Sequence, residues 1–211
     1  MFLNSKQKTI GGAVSILAIA VLLSRLLGVL RDRLLAGSFG ASIDLDIYFA
    51  AFRIPDLIYG IIFAGGVLVS LLPLFSDIYN ENKEKSWDFI NNLINIFLIV
   101  FVVVGILFFV FSPELVNKMV SGFDEGAIQK TIELTRLIFI SVLFFGLSSI
   151  FSTILNYFNR FVAYSLAPIL YNLGIIFGII FLAPHCGIFG VGIGVVLGAL
   201  LHLLVQVPTA I

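Results

Sequence analysis

Two short strings hold most of the residues that could do chemistry in this chain. Residues 24–35 read SRLLGVLRDRLL, and residues 44–56 read DLDIYFAAFRIPD. They place Arg25, Arg31, Asp32 and Arg33 beside Asp44, Asp46, Arg53 and Asp56 in otherwise apolar surroundings. An arginine fork matches the geometry of phosphate, and a paired carboxylate can hold that fork in place. The chemistry on offer is therefore anion binding. Nothing points to catalysis: there is no nucleophile–base pair and no phosphate loop. Cys186 is the one cysteine, and neither His185 nor His202 has a ligand-spaced partner, so no catalytic residue, metal site or cofactor is expected.

These residues must be positioned by membrane helices. The 211 residues are 60% hydrophobic and 11% charged, against about 25% charged in soluble domains. Apolar runs long enough to cross a bilayer recur along the whole length, and they are too long and continuous for barrel strands. The expected fold is all-α: a polytopic membrane helical bundle of six spans, at about 9–35, 46–79, 87–111, 127–157, 162–183 and 188–207. No linker divides it, so 1–211 reads as one helical bundle. The first run is too long for a signal peptide and is taken as a span. The longest connection, 112–127, has room for a short interfacial helix. Lys6, Lys8, Lys83, Lys85 and Arg160 outnumber Lys118 and Lys130, which favours a cytoplasmic N-terminus. Tyr79, Trp87 and Tyr157 then fall near the cytoplasmic interface as aromatic anchors. Net charge is zero, and nucleic acid is not an expected partner.

Depth sets the charges apart. Counted from Ile10, Arg25 lies roughly 22 Å up a helix rising about 1.5 Å per residue, inside a hydrocarbon layer about 30 Å thick. Arg53 on the descending second span reaches a similar depth. Arg25 alone can be read as snorkelling to the headgroups, and Arg33 as an interfacial anchor. Two arginines and Asp56 at matched depth suggest instead a polar cavity open toward the outer half. Arg25 with Asp32, and Asp46 with Arg53, are each a heptad apart, near one helix face. Gly28 and Pro55 are candidate bending points. The cavity charge is mixed, because four aspartates balance four arginines. Glu133 and Arg136 are expected to pair on one helix face. Glycines at 174 and 178, and at 190, 194 and 198, read first as close helix packing.

The strings SRLLGVLRDRLLAGSFG, DIYFAAFRIPDL and AGGVLVSLLPLFSDIY resemble the N-terminal signature of the MurJ (MviN) family. LNYFNRF, APILYN and LVQVP extend the resemblance over essentially the whole chain. That family comprises bacterial flippases for lipid II, the undecaprenyl-pyrophosphate-linked peptidoglycan precursor, in the superfamily of multidrug, oligosaccharidyl-lipid and polysaccharide exporters. The resemblance implies two six-span lobes plus two further helices, with this chain as the first lobe. It also implies a bacterial cytoplasmic-membrane location. By motif, Arg25, Arg31, Asp32, Asp46 and Arg53 become substrate-binding candidates. Where the family commonly carries a basic pair and then an acidic residue, this chain has Tyr59, Gly60 and Ala64. That leaves one expected cavity arginine missing.

Three functions follow. The first is lipid II flipping by alternating access, driven or biased by membrane potential or a bound ion. The second is ion-coupled export of small molecules, with Asp56 as the ion or gating carboxylate. The third is a non-transporting lobe. The missing half would be a second lobe of a longer chain or, failing that, a homodimer partner.

Overall fold

The computed structural model describes residues 10–61 and 67–210. Among them every regular element is helical. α1 spans Ile10–Phe39, α2 Ile43–Tyr59, α3 Val67–Glu81, α4 Lys83–Met119 and α5 Glu125–Tyr157. α6 (Phe161–Phe177) passes through a π-helical turn, Gly178–Leu182, into α7 (Ala183–Cys186). α8 (Ile188–Leu204) and the short α9 (Val207–Ala210) follow. The π turn directly precedes Pro184, whose ring would collide with the carbonyl four residues back in a regular helix. Four segments are long and apolar enough to cross a membrane among the described residues: Lys83–Met119, Glu125–Tyr157, Phe161–Cys186 and Ile188–Thr209. The expected second span is described as two pieces, α2 and α3. Residues 62–66 between them, with Ala64, lie outside the described residues, as do Lys6 and Lys8.

Short connections are made possible by local capping. Asn82 accepts from the N–H groups of Glu84 and Lys85 at 2.9 and 3.1 Å, so α4 starts one residue after α3 ends. Asp124 accepts from the Ala127 N–H at 2.7 Å and starts α5. Asn159, at φ 55°, reverses the chain between α5 and α6. Gly187, at φ 57°, makes the turn before α8, where glycine avoids the penalty of that region.

The expected 112–127 connection is corrected. α4 runs on through Pro113 to Met119, leaving only 120–124 as the link. Proline removes the N–H that would bond the carbonyl four residues back, here that of Phe109. Two side chains supply the missing donors: Ser112 Oγ at 3.1 Å and Arg136 Nη2 at 2.9 Å. Arg136 Nε also donates to Ser112 Oγ at 2.8 Å, and its guanidinium lies 4.0 Å from the Phe109 ring centroid. The expected Glu133–Arg136 pair is therefore not formed. Glu133 instead accepts from Gln129 at 2.7 Å.

Packing centres on α5 and α8. α6 packs most extensively on α8, α5 packs on α2, α4 and α8, and α1 packs on α6. Two apolar clusters occupy the two ends. One holds Leu35, Ile47, Leu134, Ile138, Ile175 and Val195. The other holds Leu71, Phe75, Ile90, Ile150 and Ile154, with Tyr79, Trp87 and Tyr157 packed against it. The three expected anchors thus converge: Phe75 lies 5.1 Å from Tyr157, and Tyr79 5.2 Å from Tyr157, ring to ring. α5 also carries polar side chains, with Ser141 between the two clusters in sequence and Ser148, Ser149 and Ser152 interleaved with the second.

The glycine reading holds. A Cβ on Gly174 would fall 2.3 Å from the Gly198 Cα, and one on Gly178 would fall 2.7 Å from the Gly194 Cα. The backbones of α6 and α8 meet directly, so neither helix can yield. Gly178→Leu should lower the thermal unfolding midpoint in detergent strongly, at a cost of about 1–3 kcal/mol or more from overpacking. Gly37→Ala, which meets nothing within 4 Å, should leave it unchanged. Equal midpoints for the two variants would refute the contact.

The Pro113 arrangement makes a second prediction. Arg136→Leu should destabilise the fold by about 1.5–3 kcal/mol, the range for a lost charged hydrogen bond. The loss should shrink when Pro113→Ala restores a backbone donor to the Phe109 carbonyl. A double-mutant cycle of denaturation free energies with no coupling would disprove the account.

Candidate functional site

The polar middle of the bundle opens into three adjoining cavities. The first, about 300 Å³, is lined by Arg31, Asp32, Tyr48, Phe52, Arg53, Asp56 and Tyr171 among others. The second, about 380 Å³, shares Phe52, Asp56 and Tyr171 with the first and adds Tyr59, Ser149 and His202. The third, about 350 Å³, shares His202 with the second and adds Ser24, Arg25, Tyr164 and Ser165. A polar track therefore leads from Arg31 and Arg53, past Asp56 and His202, to Arg25.

Arg31 is the best-held cation. Its Nε donates to Asp32 Oδ1 at 2.9 Å, and its Nη2 lies 2.8 Å from the same oxygen. Its Nη1 donates to Asn172 Oδ1 at 3.1 Å. Asn172 is buried, and its Nδ2 donates to the Pro168 carbonyl at 3.0 Å and to both Ser24 oxygens at 3.3 Å. One amide thus ties α6 to α1 and orients Arg31. Arg31 is about a quarter exposed and Asp32 mostly exposed, at 26% and 64%. The pair is oriented on one side and open to a ligand on the other. A pre-oriented guanidinium loses less entropy on binding an anion.

The expected grouping is partly redrawn. Arg31, Asp32, Arg53 and Asp56 do line one cavity. Arg25 lines another, so the depth match with Arg53 does not make one shared site. Arg25 and Arg31 are six residues apart, which at about 100° per residue turns them to different sides of α1. Asp46 is exposed near the start of α2 and lines none of the three cavities, whereas its heptad partner Arg53 does. Nearby, Asp44 meets Lys130 of α5 at 3.3 Å. Arg33 is exposed. α1 continues as one helix through Gly28, whose added Cβ would meet Asn172 Oδ1 at 3.9 Å. Pro55 is buried inside α2.

Tyr48, Tyr59, Ser149, Tyr171, Asn172 and His202 were not among the candidates. Tyr59, standing where a basic residue was expected, shares a hydrogen bond of 2.9 Å with Ser149 Oγ. The available signal was the serine run of α5 and the Tyr171–Asn172 pair inside an apolar span. Polar groups in a span usually face a bundle interior.

The family model for "Lipid II flippase MurJ" matches residues 35–211. The chain belongs to that family. A probable lipid II flippase MurJ of Buchnera aphidicola subsp. Schizaphis graminum is 33% identical over 196 residues, 90% of this chain and 38% of its own. The lipid II flippase MurJ of Thermosipho africanus is 34% identical, covering 87% of this chain and 38% of that one. A solved structure of lipid II flippase MurJ in an inward closed conformation superposes with a TM-score of 0.79 at 30% identity, over 92% of this chain and 41% of that one. The chain therefore spans about two fifths of the MurJ relatives it matches. The MurJ match includes Arg53, Asp56, Asn172 and His202, while Arg25 and Arg31 precede it.

An aqueous cavity has a direct test. With Cys186, the one native cysteine, replaced by serine, Arg53→Cys should react rapidly with a small water-soluble thiol reagent. Ala51→Cys, at a fully buried position, should react at least about tenfold more slowly. Equal inertness in the two inserted proteins would mean that residue 53 does not face water.

Proposed function

We propose that this chain is the N-terminal lobe of a lipid II flippase in the bacterial cytoplasmic membrane, and that its cavity takes the pyrophosphate of the lipid-linked precursor. The observation that carries this reading is the Arg31 clamp. A guanidinium held by Asp32 and Asn172 faces the same space as Arg53 and Asp56, in a chain of the MurJ family. Arginine forks bind phosphate oxygens in pairs, and a low-dielectric wall strengthens each contact. Arg25 offers a second cationic stop along the same polar track. The prenyl tail stays in lipid, beside helices whose outer faces carry Leu22, Leu26, Ile99 and Ile106.

In this proposal the lobe transports rather than catalyses. It rocks against a second lobe of a longer chain, so that the headgroup loads from the inner leaflet and leaves to the outer one. The N-terminus is cytoplasmic. Membrane potential biases the cycle through the cavity arginines, each unit charge being worth about 2.3 kcal/mol per 100 mV. Ion-coupled export of a small molecule is a second reading. It is favoured by the position of Asp56, the one carboxylate common to the two cavities nearest the α2 arginine.

In the full-length transporter, Arg31→Ala, Arg53→Ala or Arg25→Ala should fail to restore lipid II flipping to depleted cells, with membrane levels unchanged. Binding should weaken about tenfold or more for each lost charged contact. Rescue by all three variants would overturn the reading. Proton- or sodium-driven uptake of a soluble compound that is lost on Asp56→Asn would favour the exporter instead.

A further inference from the structure

His202 joins two of the three cavities and lies outside the one that holds Arg31 and Arg53. Its ring is fixed from two sides. Phe145 packs edge-on at 5.3 Å between centroids. Ser148 Oγ lies 2.6 Å from Nδ1. Behind Ser148 stands fully buried Gln206, whose Nε2 donates to Ser148 Oγ at 2.6 Å and to the His202 carbonyl at 3.2 Å. Ser152 Oγ in turn donates to Gln206 Oε1 at 2.7 Å, which orients the amide.

This chain of bonds sets the direction of each proton. The His202 carbonyl can only accept, so it fixes which end of the Gln206 amide is nitrogen, and Ser152 then donates to the other end. The Gln206 nitrogen gives one hydrogen to Ser148 and the other to the His202 carbonyl. That carbonyl is then a poor second acceptor for the Ser148 hydroxyl, which lies 3.5 Å from it against 2.6 Å from Nδ1. Ser148 therefore donates to Nδ1. An imidazole that accepts at Nδ1 carries its proton at Nε2. Nε2 has no protein partner in any described contact, and His202 is a lining residue of both adjoining cavities. Four residues from α5, α8 and the turn after α8 thus present one N–H donor to the track between Arg25 and Asp56.

We propose that His202 is a ligand-contacting residue, whose Nε2–H donates to a phosphate oxygen of the group that the cavity arginines attract. Ser148 and Gln206 are its positioning residues. The proposal rests on the reading of these cavities as a phosphate site and adds a neutral donor midway along them. A neutral donor can hold a phosphate oxygen without adding a fourth fixed cation to Arg31, Arg53 and Arg25, so the anion is guided between Arg53 and Arg25 rather than trapped.

The test uses the full chain in detergent with farnesyl pyrophosphate as probe and inorganic pyrophosphate alongside. His202 and His185 are the two histidines, so His185→Asn leaves a single ring to observe by ¹⁵N NMR. The ring should show the Nε2–H tautomer, and its Nε2 resonance should move on saturation with either probe. His202→Leu should weaken binding roughly tenfold. His202→Gln, whose amide nitrogen reaches the place of Nε2, should recover most of that loss, and His202→Asn should not. Ser148→Ala should leave the ring a mixture of tautomers. An Nδ1–H tautomer, an unmoved Nε2 signal, or unchanged binding by His202→Leu overturns the contact while leaving the arginine site standing. Failure of the wild-type chain to bind either probe overturns both.

Discussion

Gly174 and Gly178 meet Gly194 and Gly198 with no room for a side chain between them, and the rest of the lobe depends on that contact. Lipid supplies no hydrophobic drive for helices to associate, so close backbone approach must supply much of the adhesion. Here it joins α6 and α8 into one body. α6 then carries Tyr171 and Asn172 toward α1 and α2, while α8 carries His202 toward α5. The cavities lie where this pair, α1, α2 and the serine-bearing middle of α5 meet.

A second constraint explains which polar groups appear where. Inside an apolar bundle each polar group needs a partner, because no water takes its place. Asn172 meets this demand while gripping Arg31. Arg136 meets it by serving the carbonyl that Pro113 orphans. Ser148 and Gln206 meet it while holding His202. Satisfaction and positioning are thus the same bonds, so polar residues that look structural also aim the cavity.

The helical class and the glycine contact were legible because they rest on local signals: apolar content and four-residue spacing. Rise per residue carries no information on azimuth, so the grouping of the cavity charges was not legible. Arg25 and Arg53 line different cavities, because the rotation of α1 against α2 is set by packing on α6 and α5. The end of the third span was missed for a related reason. A proline reads as a helix end unless a distant donor takes up the freed carbonyl, and Arg136 sits 27 residues away from Phe109 in sequence. His202 was seen but not placed, since its neighbours Phe145 and Ser148 come from another helix.

The length of α4 has a consequence for how such a lobe can move. Lys85 and Glu114 both belong to this one helix, and at about 1.5 Å per residue they stand roughly 44 Å apart. That is close to the full thickness of a bilayer with its headgroups, about 40–45 Å. An upright α4 therefore keeps both charges in the headgroup layers. Leaning it by about 40° would shorten its vertical reach to roughly 34 Å and draw one end toward hydrocarbon. α4 is thus matched in length to a bilayer with its headgroups, a mast stepped to that thickness.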